Sequence, residues 1–256
     1  MTIITMVVGI VILTPEYARP AVSADGPHAS ASPSLDPFAQ KASTEELGPS
    51  SKPPSELKGY AWPTKRGRII GWFGPSKSGL IEVSGARVHE GLDIASSCGA
   101  QVMAAHKGKV LAAGRDFARA MGFDATGAEI ARFTKRLDKK LGKAGAKEAL
   151  PITVVIDDGN GYRSVYKHLA DVTVERGDRV KRGAVIGHVG QTGGVTPCHV
   201  QYELVRMDGE WLRVAGREAK EMGYPRWIRE RVDPTLVLEV GAKPGPRVTK
   251  GFPRPE

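Results

Sequence analysis

The chain has 256 residues and is 41% hydrophobic, which is enough for one substantial core and allows one or two domains. Only 6% of the residues are aromatic, whereas Gly (31) and Pro (18) make up about a fifth of the chain, so a turn-rich β architecture is favoured over a helix bundle. The formal charge of +9 favours anionic partners, such as nucleic acid or an anionic cell envelope, or simply keeps an exported protein in solution. Because the sequence has no basic helix with interleaved aromatic residues, we expect no binding to nucleic acid.

The first 58 residues are predicted to lie outside the folded domain. The apolar run 3–13 is too short to span a bilayer, which needs about 20 residues. Since Val22-Ser23-Ala24 follows it, residues 1–24 are predicted to be a signal peptide, and we expect export to the periplasm or the cell exterior. No Lys or Arg precedes the run, so a misassigned start or a membrane-proximal anchor are the alternatives. Residues 25–58 are rich in Ser, Pro and Ala and predict a disordered linker.

The predicted domain spans residues 59–240 and begins with β-type sequence. Residues 68–73 (RIIGWF) predict a strand that a Gly-Pro pair ends. Residues 76–88 predict a loop that leads to His89. Residues 92–94 predict a second strand, with the central Asp facing opposite to its two apolar neighbours.

Residues 115–149 interrupt the β pattern. Apolar residues recur at spacings of three and four from Ile130 to Leu141, with Lys and Arg between them, which predicts an amphipathic helix. This insertion is either a lid or partner-docking element near a site, or a helix packed on the flank of the domain with a solvated basic face.

The β pattern resumes at residue 152 and continues through a hairpin turn at residues 158–161. In the following strand, alternation of side chains places His168 on the same face as Tyr166. The last residues, 241–256, form a basic Pro/Gly segment that is predicted to be a flexible tail.

Three residues in this pattern predict a metal site. His89 and Asp93 are four residues apart, and His199 follows far downstream inside an alternating polar and apolar run. This is typical of a zinc site assembled from two distant strands. In that run His199, Gln201 and Glu203 share one strand face, so whatever His199 faces, Gln201 faces too.

At these residues the chain resembles the lysostaphin or LytM-type peptidoglycan metallopeptidases. His89 and Asp93 match the family's His-x-x-x-Asp motif, and residues 166–169 (YKHL) match its Tyr-x-His-Leu motif. The family's final His-x-His motif is matched by His199 alone. The resemblance extends from about residue 67 to residue 205 and implies an all-β fold, a mainly antiparallel LytM-type β-sandwich with an open groove.

The resemblance implies a role for each matched position. Zn²⁺ would be bound by His89 and Asp93, and Gln201 stands where the family has its third ligand. His168 and His199 would be the catalytic residues, which orient water and stabilise the tetrahedral oxyanion. Because an amide oxygen is a weaker zinc ligand than an imidazole, we expect the exchange at position 201 to weaken zinc binding.

The chain has two cysteines, Cys98 and Cys198. Each lies near a predicted site residue, so if Asp93 and His199 converge on one site the two cysteines are also neighbours. In an exported protein we then expect a disulfide. Two buried free thiols, or zinc ligation by Cys198, are the alternatives.

Two functions are compatible with these features. The first is a cell-wall zinc endopeptidase that hydrolyses the peptide cross-links of peptidoglycan, favoured because four of the five functional positions are retained. The second, favoured by Gln201, is a catalytically impaired relative that binds peptidoglycan or regulates a wall hydrolase. An unrelated function of a β domain is a third alternative. In the first two cases we expect a monomer that binds peptidoglycan peptides.

Overall fold

The computed structural model describes residues 51–77, 79–115, 127–215 and 226–248. The predicted signal peptide, most of the predicted linker and residues 249–256 lie outside these ranges. Sixteen strands and one long helix, α1 (Gly127–Ala149), are found within them, together with short 3-10 helices at Pro54–Glu56 and Pro234–Leu236. The strands are β1 (Arg68–Gly71), β2 (Gly74–Pro75), β3 (Ile81–Val83), β4 (Ala86–His89), β5 (Leu92–Ala95), β6 (Gln101–Met103), β7 (Gly108–Gly114), β8 (Ile152–Asp157), β9 (Tyr162–Val172), β10 (Arg179–Val180), β11 (Val185–Val189), β12 (His199–Arg206), β13 (Trp211–Val214), β14 (Trp227–Arg229), β15 (Arg231–Val232) and β16 (Arg247–Val248). In these ranges, no helix has the length and apolar character needed to cross a bilayer.

The strands form two sheets. The larger sheet has the order β10-β7-β8-β9-β12-β5-β1-β16, with β6, β11 and β15 attached to it, and the smaller has the order β14-β13-β3-β4-β2. In the described part of the chain, neighbouring strands pair antiparallel, except for β1 and β16, which are parallel. The predicted all-β, mainly antiparallel fold with one helical insertion is therefore confirmed.

Side chains of strand β12 alternate between two hydrophobic cores, one on each face of the larger sheet. Val200 and Tyr202 of β12 pack with Tyr166 in the main core, whereas Val205 faces the opposite side. On that opposite side the smaller sheet and helix α1 cover the larger sheet, and the second core consists of Ile81, Val88, Ala112, Leu137, Val155, Val165, Val205, Met207 and Ile228. The two sheets therefore share an apolar layer, as a sandwich requires.

Helix α1 agrees with the flank-packed interpretation of the insertion. Leu137 is buried in the second core, while the basic residues Lys135, Lys139 and Lys143 are exposed. Leu141, predicted to continue the apolar stripe, is exposed because the helical dihedrals break at Gly142, where φ is 72°.

The hairpin β3–β4 shows that the prediction of a loop over residues 76–88 was wrong. Ser84 and Gly85 both have positive φ, 51° and 79°, as the two central residues of a type I′ turn require. Because β4 ends at His89, the hairpin places this histidine at a fixed strand end where the smaller sheet meets the larger one.

Described residues on both sides of the predicted domain, 59–240, also contact it. Residues 51–58 contact the domain: the amide of Ser51 donates to Asp208 (2.9 Å), and the side chain of Leu57 is buried. At the other end, Arg247–Val248 pairs with β1 instead of belonging to a flexible tail. Local composition predicted disorder in both places because it does not report hydrogen bonds made to distant strands.

Candidate active site

The predicted site residues meet at the centre of the larger sheet. Gln201 on β12 lies directly across from Asp93 on β5, and two residues along the same ladder His199 lies opposite Ala95. His89 approaches from the end of β4. On the other side of β12, β9 brings in the segment that contains His168. Three motifs that are distant in sequence therefore lie around one site.

All three histidines are anchored in the same way. In each ring Nδ1 donates a hydrogen bond to a backbone carbonyl oxygen: His89 to Trp72 (2.9 Å), His168 to Thr192 (2.7 Å) and His199 to Pro197 (2.7 Å). A carbonyl can only accept, so the proton of each neutral ring lies on Nδ1. Nε2 of each neutral ring is therefore left as a lone-pair donor or proton acceptor.

Asp93 is the common neighbour of two of these rings. Its Oδ1 lies 3.4 Å from Nε2 of His89 and 3.9 Å from Nε2 of His199. This oxygen is buried, and no hydrogen-bond donor reaches it in the described part of the chain. Gly71, the partner of Asp93 across β1 and β5, provides space, since a Cβ atom there would clash with the carboxylate.

Asp93 also determines the charge of its nearer neighbour. Burial disfavours the charged imidazole of His89, but the close, negatively charged carboxylate of Asp93 outweighs this and raises the pKa of His89 to about 9. Without a cation, the pair therefore exists near neutral pH as an imidazolium and a carboxylate.

The orientation of His168 was predicted wrongly. Its φ is 67°, in the left-handed region, and this breaks the alternation of β9. Tyr166 faces the main core, where its hydroxyl accepts from the amide of Ala105 (2.7 Å), whereas His168 reaches Gln201 on the other face. Such a backbone costs about 1–3 kcal/mol in a residue other than glycine and is typical of functional sites.

His168 lies beside His199, with ring centroids 4.9 Å apart. Burial lowers the pKa of His168 and the proximity of His199 and Lys167 lowers it further, which outweighs the hydrogen bonds to Thr192 and Gln201 that raise it. The neutral form of this ring is therefore favoured, which suits a proton acceptor. The contact of Nε2 with Oε1 of Gln201 is a hydrogen bond only when the ring is protonated, because a neutral ring with its proton on Nδ1 presents a lone pair there.

Two carboxylates hold the side chain of Gln201. Its Nε2 donates to Oε1 of Glu90 (3.1 Å) and to Oε1 of Glu203 (2.9 Å). A carboxylate accepts and cannot donate, so the amide atom of Gln201 that contacts Glu90 and Glu203 must be the nitrogen. Oε1 of Gln201 consequently faces away from them, 3.3 Å from Nε2 of His168.

The same two carboxylates belong to a buried ion cluster that the sequence analysis missed. Lys167 contacts Glu203 and lies 3.6 Å from Glu90, and Nε of Arg231 donates to Glu203 (3.2 Å). Burial opposes the charge on Lys167, but the two carboxylates outweigh it and raise its pKa. The cluster contains two acidic and two basic residues, so its charges balance beneath Gln201.

A weak signal for this cluster is present in the sequence. Glu90 lies inside the first motif and Lys167 inside the second, and Lys167 pairs directly with Gln201 across β9 and β12. The opposite charges of Glu90 and Lys167 can be recognised as partners only when it is known that the two motifs lie next to each other in the fold.

The predicted disulfide between Cys98 and Cys198 is present, with a Cα–Cα distance of 5.4 Å. Neither cysteine is therefore a metal ligand. Cys198 immediately precedes His199, so the bond holds the start of β12 next to the segment that follows β5.

The donors fit zinc only in part. In the described ranges, no group of three His, Cys, Asp or Glu side chains is arranged to hold a metal ion. Two ligands of a tetrahedral zinc, at about 2.0–2.1 Å from the metal, lie roughly 3.3–3.4 Å apart. The 3.4 Å between Nε2 of His89 and Oδ1 of Asp93 matches this spacing, and Oδ1 of Asp93 accepts no hydrogen bond within the described ranges. Two donors therefore fit zinc, and position 201 supplies an amide instead of a third ionisable ligand.

A comparison with known protein families covers the motifs of His168 and His199 but not that of His89 and Asp93. Residues 138–213, which include His168, His199 and Gln201, match the sequence profile of Peptidase family M23. Two peptidoglycan DD-endopeptidases of Vibrio cholerae, ShyA and ShyC, are 48% and 44% identical to this chain over 52 residues. These matches cover 20% of this chain and 12% of each relative.

Solved structures also resemble this chain. The antimicrobial peptidase lysostaphin from Staphylococcus simulans has a TM-score of 0.40 at 19% identity, covering 70% of this chain and 54% of that one. A zinc-containing peptidase from Vibrio cholerae has a TM-score of 0.37 at 24% identity, covering 59% of this chain and 37% of the other.

Proposed function

Because the chain carries a segment of Peptidase family M23, we propose that it is a peptidoglycan-directed metalloendopeptidase that hydrolyses amide bonds of the peptide cross-links. One observation carries the proposal: Oδ1 of Asp93 is buried without a hydrogen-bond donor, and Nε2 of His89 and of His199 face it. A buried carboxylate oxygen that accepts no hydrogen bond and is reached only by two long contacts to imidazole nitrogens is costly, and a cation between these groups would satisfy it. The similar ShyA and ShyC are peptidoglycan DD-endopeptidases, which supports peptidoglycan as the substrate.

We assign the metal to His89 and Asp93, with Oε1 of Gln201 as a weak third donor. When bound, Zn²⁺ would polarise the scissile carbonyl and lower the pKa of water. Glu90 and Glu203 support the assignment of Gln201, because by accepting from its amide nitrogen they leave the oxygen as the atom available to a cation. An amide oxygen is neutral, so we expect weaker zinc affinity than an imidazole at this position would give.

His168 and His199 are the candidate catalytic groups. Their Nδ1 atoms are fixed by the carbonyls of Thr192 and Pro197, so both rings present Nε2 to the site. Nε2 of His168, whose neutral form is favoured, would accept a proton from the attacking water and later deliver it to the leaving amine. In its protonated form, Nε2 of His199 would donate to the developing oxyanion.

A second function is favoured by the contacts of Gln201. Its nitrogen already donates to Glu90 and Glu203, and its oxygen lies against His168. If these contacts keep the amide oxygen from binding a metal, zinc affinity would be low. The protein would then bind peptidoglycan or regulate a wall hydrolase without hydrolysing peptide bonds itself. Either function requires export, for which the predicted signal peptide at residues 1–24 is the proposed route.

Digestion of purified peptidoglycan separates the two functions. The full chain, Asp93→Ala and Gln201→His are each incubated with peptidoglycan and zinc, and released fragments are separated by chromatography. Release by the wild type that Asp93→Ala abolishes supports the endopeptidase. Release by Gln201→His alone, with wild-type protein sedimenting with the polymer, supports the binding protein. Wild-type protein that neither releases fragments nor sediments contradicts both functions.

A further inference from the structure

Two adjoining clefts lie beside the candidate active site. The first, of about 610 Å³, is lined in part by Arg68, Ala95, Cys198 and Arg247, and the second, of about 500 Å³, shares Arg247 with it. Ala95 pairs with His199 and follows Asp93 by two residues, a distance of about 7 Å along a strand. The clefts therefore continue the active-site region along β5 and the start of β12.

The lining of both clefts is basic. Five cationic side chains, Lys65, Arg66, Arg68, Lys243 and Arg247, line one or both clefts, and no Asp or Glu does so. All five residues are exposed, and none forms an ion pair with another residue that the structure describes. We call this surface the basic groove.

Two of these cationic residues are neighbours across the sheet. Arg68 on β1 pairs in register with Arg247 on the parallel strand β16, and neighbouring strands are about 4.8 Å apart. Two like charges on adjacent strands repel each other, and an anion bound by both side chains would relieve that repulsion. Guanidinium groups bind carboxylates through paired, charge-assisted hydrogen bonds.

The walls of the basic groove are fixed by covalent and steric features. The disulfide holds Cys198 next to the segment that follows β5. At Gly67, where φ is 147°, a Cβ atom would clash with the carbonyl oxygen of Ala95, so glycine allows the two walls to approach each other. Because these features hold the backbone in place, the groove is formed before a ligand arrives.

We propose that the basic groove binds a carboxylate-bearing segment of the peptide substrate and thereby selects anionic peptides over neutral ones. This inference rests on the proposed function, since it assigns a substrate class to the same site. An extended peptide advances about 3.3–3.6 Å per residue, so a carboxylate held in the groove lies only a few residues from the bond presented to Asp93. Arg68 and Arg247 are its principal anchors.

Direct binding in the absence of turnover tests the proposal. The full chain is kept metal-free with a chelator and titrated into fluorescein-labelled hexaglutamate, and anisotropy is read, with labelled hexaglutamine as the neutral probe. The double variant Arg68→Gln/Arg247→Gln is compared with Lys181→Gln/Arg182→Gln, which removes the same charge from an exposed turn outside the groove. Competition with unlabelled hexaglutamate and with inorganic polyphosphate identifies the preferred anion.

We expect the groove variant to lose at least about tenfold in affinity for hexaglutamate, and the turn variant to remain close to wild type. The groove variant should melt no lower than wild type, because it removes a repulsion between like charges. Equal losses in both variants would overturn the proposal, and displacement by polyphosphate at far lower concentration than by hexaglutamate would overturn the carboxylate assignment. Since no hydrolysis is measured, either failure leaves the test of the endopeptidase unaffected.

Discussion

Oε1 of Gln201 lies 3.3 Å from Nε2 of His168, and it is the amide nitrogen of Gln201, not the oxygen, that contacts the buried carboxylates of Glu90 and Glu203. Glu90 and Glu203 thus hold the nitrogen of the Gln201 amide, and its oxygen points towards His168. Position 201 lies across from Asp93, so under the proposed function its chemistry would determine how strongly the site holds a cation.

Gln201→His should raise zinc affinity by at least about tenfold, because an imidazole replaces a neutral amide oxygen next to Asp93. Competition with a chromophoric chelator measures the change. Gln191→His, which adds a histidine at an exposed loop position, serves as the control and should leave affinity unchanged. Equal affinities of wild type and Gln201→His would show that residue 201 does not reach the metal.

Glu203→Gln should lower the free energy of unfolding by about 3–5 kcal/mol, because it leaves buried Lys167 and Arg231 short of an anion. The matched change Glu82→Gln removes a partly exposed pair with Arg213 and should cost less than about 1 kcal/mol. Urea denaturation of both variants gives the comparison. Similar costs for the two would mean that the buried cluster does not support the fold.

Removing the disulfide with Cys98→Ala/Cys198→Ala should lower the free energy of unfolding by about 4–5 kcal/mol in the chain-entropy model, since the bond closes a loop of 100 residues. Urea denaturation with and without a reductant measures it. The reductant should destabilise the wild type and leave the variant unchanged, and a wild type indifferent to reduction would contradict the expectation.

Asp158 should make stability depend on pH. Its buried carboxyl accepts from the hydroxyls of Tyr60 and Ser164, and burial raises its pKa well above the ordinary value. The folded state then retains a proton that the unfolded state loses above pH about 4, so stability falls as pH rises from there towards the folded pKa. Asp158→Asn removes this proton linkage and should flatten the curve of urea midpoint against pH. Parallel curves for variant and wild type would contradict the assignment.

Regular features of the fold could be predicted from the sequence. The family resemblance read from the motifs is confirmed over residues 138–213, and the disulfide and the antiparallel β architecture are confirmed by the coordinates. The turn-rich β character follows from composition, whereas the antiparallel sandwich was implied by the resemblance, and the disulfide by the expected convergence of Asp93 and His199 on one site.

What could not be predicted depends on tertiary contacts. Alternation assumes a regular strand, so it placed His168 on the core face, whereas its positive φ turns it towards Gln201. Lys167 and Glu203 form an ion pair only because β9 and β12 are neighbours in the sheet, and the sequence alone does not show which strands are neighbours. Arg247–Val248 forms a strand because its backbone pairs with β1 at the edge of the larger sheet, a contact that the local sequence does not reveal.

Calorimetric titration of zinc into metal-free wild type and Asp93→Ala shows whether these residues form a metal site. The wild type should take up one zinc ion per chain, and Asp93→Ala, though folded, should take up none, because the carboxylate faced by His89 and His199 is gone. Uptake by Asp93→Ala equal to that of the wild type, or no uptake by the wild type, would contradict a zinc site at these residues.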